Sequence, residues 1–492
     1  LEVSGQYGQY SDTYGRRNLS LAYGKRLDKL SISVGGFIGQ AQLSNKTYTD
    51  INGDAYNMKG QSEIRPLSVN VGIGYEGLSV RLFAEKYENK TLDNYDAITK
   101  YATLQRFETY AANVKYDFGI GKSLILTPQV SYLRQLPWNN KSVSTNENDY
   151  SPYYDKTVDR IKASLTTLYD YSKDLNFVFG GEFYRDKGVV NTSDIVSSDE
   201  SFVEKNDQLS YNNVAFFAQG TYNSSFANFT LGARYDYNST FGGFFAPRVA
   251  VTKVIDRFHF KLLADRAFRA PLVENISANP DIKPEYATVF EAEVGYQLSK
   301  SSFLSANFFY QTISDAIVYY TLGSQDNYTN AEKTGSRGME LEYRLKEKWG
   351  YLNLGYSFYA TMSDDEVKYY AVPENKNEHL GFAPHKVTIN SSFKITEKLS
   401  ISPSVILLSK RDGIYAKDAG GNSEMREFKA LALANLYVLH RDFLTPGLDA
   451  GAGVYDIFGQ NYTFIQPYDG QHLPLPGPPR EFVVRLAYHI GG

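Results

Sequence analysis

Asp50, Asn52 and Asp54 fall at the two-residue spacing with which hard oxygen ligands converge on a calcium ion, with Gly53 inside the same turn. Position twelve of that pattern is Gln61, and Glu63 comes two residues late. An Asx turn in a surface loop therefore competes with a structural Ca2+ site. His379 and His472 stand in long polar stretches, where an imidazole could ligate a metal chelate or simply be solvated. Tyr369, Tyr370, Trp138, Tyr150 and Tyr468 could stack on a catecholate, porphyrin or corrin ring, although 41 tyrosines put some in any loop. Covalent chemistry finds few residues to work with. No Gly-Lys-Ser/Thr phosphate loop, nucleophile elbow or His-Glu-x-x-His is present. Zero Cys removes disulfides and thiolate-held metal, and four Met argue against a thioether copper route. The pattern points to ligand recognition and not to an enzyme.

The elements that would carry these loops are strands. Phe482, Val484, Leu486, Tyr488 and Ile490 alternate with Val483, Arg485, Ala487 and His489, so one face is apolar and the other polar. Leu1, Val3 and Tyr7 open the chain in the same way. Two such terminal strands would be exposed edges unless they paired with each other, which closes a barrel. An apolar outside and a polar inside suit a bilayer. Mean hydropathy is only −0.39 and no run approaches the ~18 apolar residues of a membrane helix, but lumen residues dilute the signal of a barrel. The tyrosine excess fits aromatic girdles at both interfaces, and equally the general liking of Tyr for strands. A net charge of −4 gives no argument for nucleic acid.

Hairpins then follow with one kind of turn short and the other long. Tight turns are expected at Glu76-Gly77, Gly119–Lys122, Ser172–Leu175, Asp256–Phe258, Lys346–Gly350 and Asp442–Gly447. Long segments include Lys46–Arg65, Leu136–Thr157, Val190–Gln208, Asp364–Phe382 and Ile465–Pro478. Short turns at a periplasmic rim and long loops outside are the habit of outer-membrane barrels. About 22 strands of ~10 residues are expected, in one all-β transmembrane antiparallel barrel over residues 1–492. Register follows from charge. Glu340, Glu342 and Arg344 must face in while Met339, Leu341 and Tyr343 face out; Glu291 and Glu293 oppose Phe290 and Val294; Arg81 and Glu85 oppose Val80 and Leu82. A reversed register would put these charges in lipid, at ~2–4 kcal/mol for a midplane Arg or Lys.

Residues 260–490 also resemble the TonB-dependent outer-membrane transporters. Phe268-Arg269-Ala270-Pro271 and then Asn279-Pro280-Asp281-Ile282-Lys283-Pro284-Glu285 resemble two boxes of that family. Thr334-Gly-Ser-Arg-Gly-Met-Glu-Leu-Glu342, Ala383-Pro-His-Lys386 and the stretch from Tyr455 to Phe482 resemble later landmarks. The resemblance implies a Gram-negative outer-membrane location. It implies partners too: outer-membrane lipids, a small metal-chelate ligand, a plug domain, and a TonB-type energy-coupling protein reached through that plug. The plug is absent from this chain, whose first residues already read as strand. The function implied is import of a scarce bulky chelate, ferric siderophore first, haem or cobalamin behind it. A haem importer would carry a His between the two boxes, and Leu272–Ala278 has none, although Tyr can ligate ferric haem. Arg269, Tyr369, Tyr370, His379 and His472 are the expected ligand contacts, and no resident cofactor is required. The competing reading is a plug-free barrel acting as a structural partner or a passive pore.

Overall fold

The computed structural model describes residues 1–491 apart from 51–52, 95–96, 140–155, 191–207, 323–324, 363–370, 373–374, 419–422 and 467–472. Tyr369, Tyr370, His472 and Asn52 thus lie outside the described residues. The chain forms a closed antiparallel barrel of 22 strands. The short segment Phe118–Ile120 continues Ala97–Tyr116 beyond Asp117, and both pair with Leu124–Asn139.

Alternation does what the sequence requires of it. Leu67, Val69, Val71, Ile73 and Tyr75 pair with Lys86, Ala84, Leu82, Val80 and Leu78, forming one outward row across two strands. Arg81 and Glu85 occupy the opposite, lumenal face. The turn between these strands is Glu76-Gly77, with Glu76 at φ +51°. Asp28 and Asp256 adopt the same left-handed conformation in their own short turns, which matches hairpin twist. Gly350 is a stronger requirement: its φ is +147°, and a Cβ there would lie 1.9 Å from the Ser392 carbonyl oxygen.

Closure joins the two ends of the chain. Glu2–Gln9 pairs antiparallel with Glu481–His489, from Glu2 opposite His489 to Gln9 opposite Phe482. The Leu1 nitrogen donates to the Ile490 carbonyl at 3.1 Å, and the Ile490 N–H donates back at 2.7 Å. No strand edge in lipid is left, which is the condition for β-structure to span a bilayer. The seam is pinned inside the bore. Arg485 pairs with Glu2 at 3.1 Å, and the Arg16 Nε donates to the Glu481 carboxylate at 2.9 Å while its guanidinium lies over the Tyr455 ring. Outward from the same seam, Phe482, Val484, Leu486 and Tyr488 are exposed to lipid.

Strands run past the membrane at the long-loop end. Ser302–Leu322 and Gln325–Glu347 reach 21 and 23 residues, well over the ~10 needed to cross. Four small hairpins stand among the long loops: Thr47–Thr49 with Ala55–Asn57, Ala371–Val372 with Asn375–His379, Arg411–Lys417 with Ser423–Phe428, and Thr463–Phe464 with Leu475–Pro476. The first hairpin departs from the short-and-long rhythm, because only a tight turn (Tyr10 N–H to Thr13 carbonyl) joins its strands at that rim.

Candidate functional site at the long-loop rim

The two boxes near residues 268 and 279 build a loop that folds into the bore. Phe268 ends its strand stacked on Phe244 with centroids 4.8 Å apart, and Pro271 is fully buried. Val273–Ala278 then forms a single short helix, started by the Asn275 carboxamide accepting the Leu272 N–H at 2.8 Å. Val273, Ile276 and Ile282 pack with Tyr211 and Ile317, with Tyr184 and Tyr328 alongside. Tyr184 and Tyr211 share the lumenal face with Lys162 and Asp186, so the loop lies against the inner wall. Asn279 fixes its far end, donating to the Tyr328 carbonyl at 2.8 Å and accepting the Asp281 N–H at 3.0 Å. Burial of about three aliphatic side chains, at ~1.5–3 kcal/mol each as an upper estimate, holds the loop down.

Arg269 serves this arrangement. Its guanidinium makes a bidentate pair with Glu285 at 2.7 and 2.8 Å, and Glu285 also accepts the Ile317 N–H at 3.0 Å. Three consecutive strands are tied together at the rim by one fork. Arg269 stands on the lumenal row at the rim, with its guanidinium engaged as a brace. His379 ends the hairpin Asn375–His379, where its carbonyl accepts the Phe382 N–H at 3.3 Å.

The Asp50 turn is built by hydrogen bonds. One carboxylate oxygen accepts the Asp54 N–H at 2.9 Å and the other the Tyr56 hydroxyl at 3.3 Å. The carboxylate thus reaches four residues along the chain and ties the end of Thr47–Thr49 to the start of Ala55–Asn57. Burial and the neighbouring Asp50 push the Tyr56 hydroxyl pKa up. Among the described residues, no three His, Cys, Asp or Glu side chains cluster as a metal site.

Below the rim, the lumen wall is charged but compensated. Arg160 pairs with Asp186 at 2.6 Å, and Arg234 reaches Asp236 at 2.7 Å and Glu182 at 3.1 Å. Lys162 also pairs with Glu182, and Asn213 donates to Asp236 at 2.9 Å. Farther round, Lys261 pairs with Glu291 at 2.9 Å. Such pairing keeps a wet, wide wall from presenting bare buried charge. Above the seam, burial pulls the Lys46 ammonium pKa down, with Asp456 pulling the other way. Both Asp456 oxygens and the Lys46 Nζ are buried without a hydrogen-bond partner.

A cleft of about 660 Å³ opens between the wall and the Arg411–Lys417 hairpin, lined in part by Phe358, His385, Arg411, Glu378 and Glu427. Phe358 and His385 lie on the same face as Met339 and Leu341, so this cleft borders the outside of the wall. Burial pushes the Glu378 carboxyl pKa up and the Arg411 guanidinium pKa down. Sequence reasoning missed the inward loop and the brace. The composition of Leu272–Ala278 could have signalled them, since four apolar residues in a supposed surface loop need something to cover them.

Comparison with known proteins agrees with this architecture. Residues 39–456 match the family model described as TonB dependent receptor-like, beta-barrel. No curated protein sequence matches the chain significantly. Among solved structures, the ferric enterobactin receptor PfeA of Pseudomonas aeruginosa superposes with a TM-score of 0.75 at 16% identity, over 99% of this chain and 80% of that one. The siderophore receptor PirA of Acinetobacter baumannii gives 0.73 at 14%, again over 99% and 80%. The FrpB iron transporter of Neisseria meningitidis gives 0.73 at 14%, over 99% and 81%. The chain belongs to the TonB-dependent receptor family, as an outer-membrane transport barrel of a Gram-negative bacterium and not an enzyme.

Proposed function

We propose that this barrel is the wall of an energy-dependent importer of a ferric siderophore, with haem and cobalamin as the less favoured cargoes. The observation that carries the reading is the loop of residues 270–284, folded onto the inner wall of a wide bore and braced by Arg269 and Glu285. A fixed constriction at the entrance of a bore suits capture of a bulky solute better than free diffusion of small ones. The similarity to receptors described as binding ferric enterobactin or transporting iron supports the same class of cargo. Tyr369, Tyr370, His379 and His472 are the proposed chelate contacts, placed on long loops where aromatic and imidazole groups would meet the ligand first. Arg269 would act by holding the loop. A plug domain filling the lumen, and a TonB-type protein acting on it, would complete the cycle. The barrel would supply selectivity and a sealed wall.

The test is uptake of radioactive iron by an iron-starved strain, offered a panel of ferric siderophores, haem and cobalamin, with and without the gene. Loss of uptake of one ferric siderophore on deletion is the expected result. Unchanged uptake of every iron complex would end the siderophore reading. Ion conductance by the purified full-length protein in a planar bilayer would favour a passive pore instead.

A further inference from the structure

The outer face of the wall carries a continuous ladder of charge at one height over part of its circumference, apart from cations such as Lys25 and Lys253 close to the short turns. On Leu78–Asn94, the outward positions Leu78, Val80, Leu82 and Ala84 are apolar, and Lys86, Glu88 and Lys90 follow. The neighbouring strands repeat the change at the same level. Arg65 and Glu63 lie opposite Glu88 and Lys90, and Arg106 and Glu108 lie opposite Glu88 and Lys86 on the other side. These groups form a ladder across the surface. Arg17 donates to Gln40 at 3.0 Å, Gln40 to Glu63 at 3.0 Å, and Arg65 to Glu63 at 2.8 Å. Lys86 and Arg106 both reach Glu88, at 3.0 and 2.9 Å. Arg134 makes a bidentate pair with Asp159 at 2.7 and 2.9 Å. Arg185 and Lys187 extend the outward row opposite Ile161 and Asp159; both are exposed, and the carboxylate facing Lys187 is already held by Arg134.

Apart from Lys25, the outward charges of these strands begin eight to eleven residues from the short-turn end, as with Lys86 after Leu78, Arg134 after Leu124 or Asp159 before Asp170. At ~3.3 Å per residue and a tilt of ~40°, that is roughly 20–25 Å above the turn, the upper edge of the apolar band. The band of charge spans the eight strands from Tyr14–Leu27 to Leu175–Val190 and holds eight basic side chains to four carboxylates. On the remaining strands the outward positions at that height are mostly apolar or aromatic, such as Val214, Tyr237, Phe245, Tyr310 and Leu407; of the two cations among them, Arg266 lies over the Tyr286 ring and Arg337 lines the cleft beside the Arg411–Lys417 hairpin. A ladder needed only to end the hydrophobic belt would have no reason to stop halfway round or to carry a cationic excess.

We propose that this sector, from Arg17 to Lys187, is a docking surface for the phosphate-bearing headgroup of an outer-leaflet lipid. The acyl chains would lie on the apolar rows below, and the guanidinium and ammonium groups would take the phosphates by charge-assisted hydrogen bonds. The inference rests on the outer-membrane placement of the barrel and is independent of what it imports.

The test uses the full-length protein purified from outer membranes in neutral detergent, mixed with bisphosphorylated lipid A or with the same lipid stripped of its phosphates. Bound lipid per barrel is read by native mass spectrometry, and folding is checked by the mobility difference between heated and unheated samples. Wild type should retain the bisphosphorylated lipid, and the triple variant Arg17→Gln, Arg185→Gln, Lys187→Gln should retain at least fivefold less. Arg337→Gln, outside the sector, should behave as wild type. Equal retention by wild type and a folded triple variant would overturn the proposal. So would equal retention of the dephosphorylated lipid, or displacement by equimolar inorganic phosphate, which would indicate a small-anion site. Loss of a co-purifying protein in place of lipid would assign the surface to that protein and contradict the proposal.

Discussion

The two faces of the wall use the same charged side chains under opposite rules. On the lumen face, charge occurs at every level, from Glu2 and Arg485 near the short-turn rim to Arg269 and Glu285 at the top. On the lipid face of the strands between Tyr14 and Val190, Lys25 stands at the short-turn rim and charge is otherwise excluded from the first eight residues. Water explains the difference. A lumenal charge keeps hydration and can find a partner across two strands, whereas an outward charge at midplane has neither. The contrast also shows where stability resides: the outer face contributes through lipid contact, the inner face through pairs whose separate members would be costly to leave alone.

The sharpest way to break this contrast is to exchange the rules at one strand. Leu262→Arg places a cation on the outward side of Phe258–Arg269 near midplane and should lower the unfolding free energy by about 2–4 kcal/mol. Lys261→Leu, on the adjacent inward position, should cost less despite removing a pair with Glu291. Urea titration of the refolded barrel in lipid checks both, and equal costs would refute the two-rule account. Next in size is the seam. Arg16→Ala strands the buried Glu481 carboxylate, and the cost should approach ~3 kcal/mol, the low end for a broken buried pair because Arg16 itself is partly exposed. Restoring neutrality with Glu481→Gln in the same chain should recover much of it, which a double-mutant cycle measures.

A smaller effect is expected in the loops beyond the wall. Asp50→Ala removes the two hydrogen bonds that cap the small hairpin and should cost ~1–2 kcal/mol locally, seen as faster protease nicking near residue 52. Added calcium should not slow that nicking in wild type; protection by calcium would assign the turn to an ion. The smallest effect is a pH dependence. The Gly447 N–H, with Lys398 nearby, holds the exposed Asp442 carboxyl below its usual range. A depressed acid contributes stability above the ordinary carboxylate pKa and loses it as pH falls through the lowered value. Asp442→Asn should flatten that acid limb of the stability profile, and an unchanged limb would show the turn carboxylate to be idle.

Strand existence, face and closure were legible because period two is a property of the chain alone. Met339–Leu345 has one register that keeps its charges out of lipid, and the structure adopts it, with Arg344 paired to Glu342 on the lumen side. The short turns were legible for the same reason, since Glu76-Gly77 or Asp442–Gly447 must bend where the rows end. Loop conformation was not. Val273–Ala278 is less than two helical turns, too short to show a period, and it forms because Tyr211 and Ile317 cover it from distant strands. Arg269 could be recognised as important but not as a brace, because its partner Glu285 is set by the pairing of two strands. The outward charges at Lys86, Arg106 and Arg134 were hidden by a different limit: alternation gives the face of a residue but says nothing of its height.

Central to all of this is a wall with lipid on one side and water on the other, in phase with single residues. The chain has no native cysteine, so spin labels can be attached one at a time to Met339→Cys through Arg344→Cys in the full-length protein reconstituted in lipid. Collision rates with oxygen, which concentrates in the bilayer, and with a water-soluble nickel chelate are then measured along the strand. Labels at 339, 341 and 343 should favour oxygen and those at 340, 342 and 344 should favour nickel, with strict alternation. Rates that vary in phase, or that show no period of two, would contradict the account.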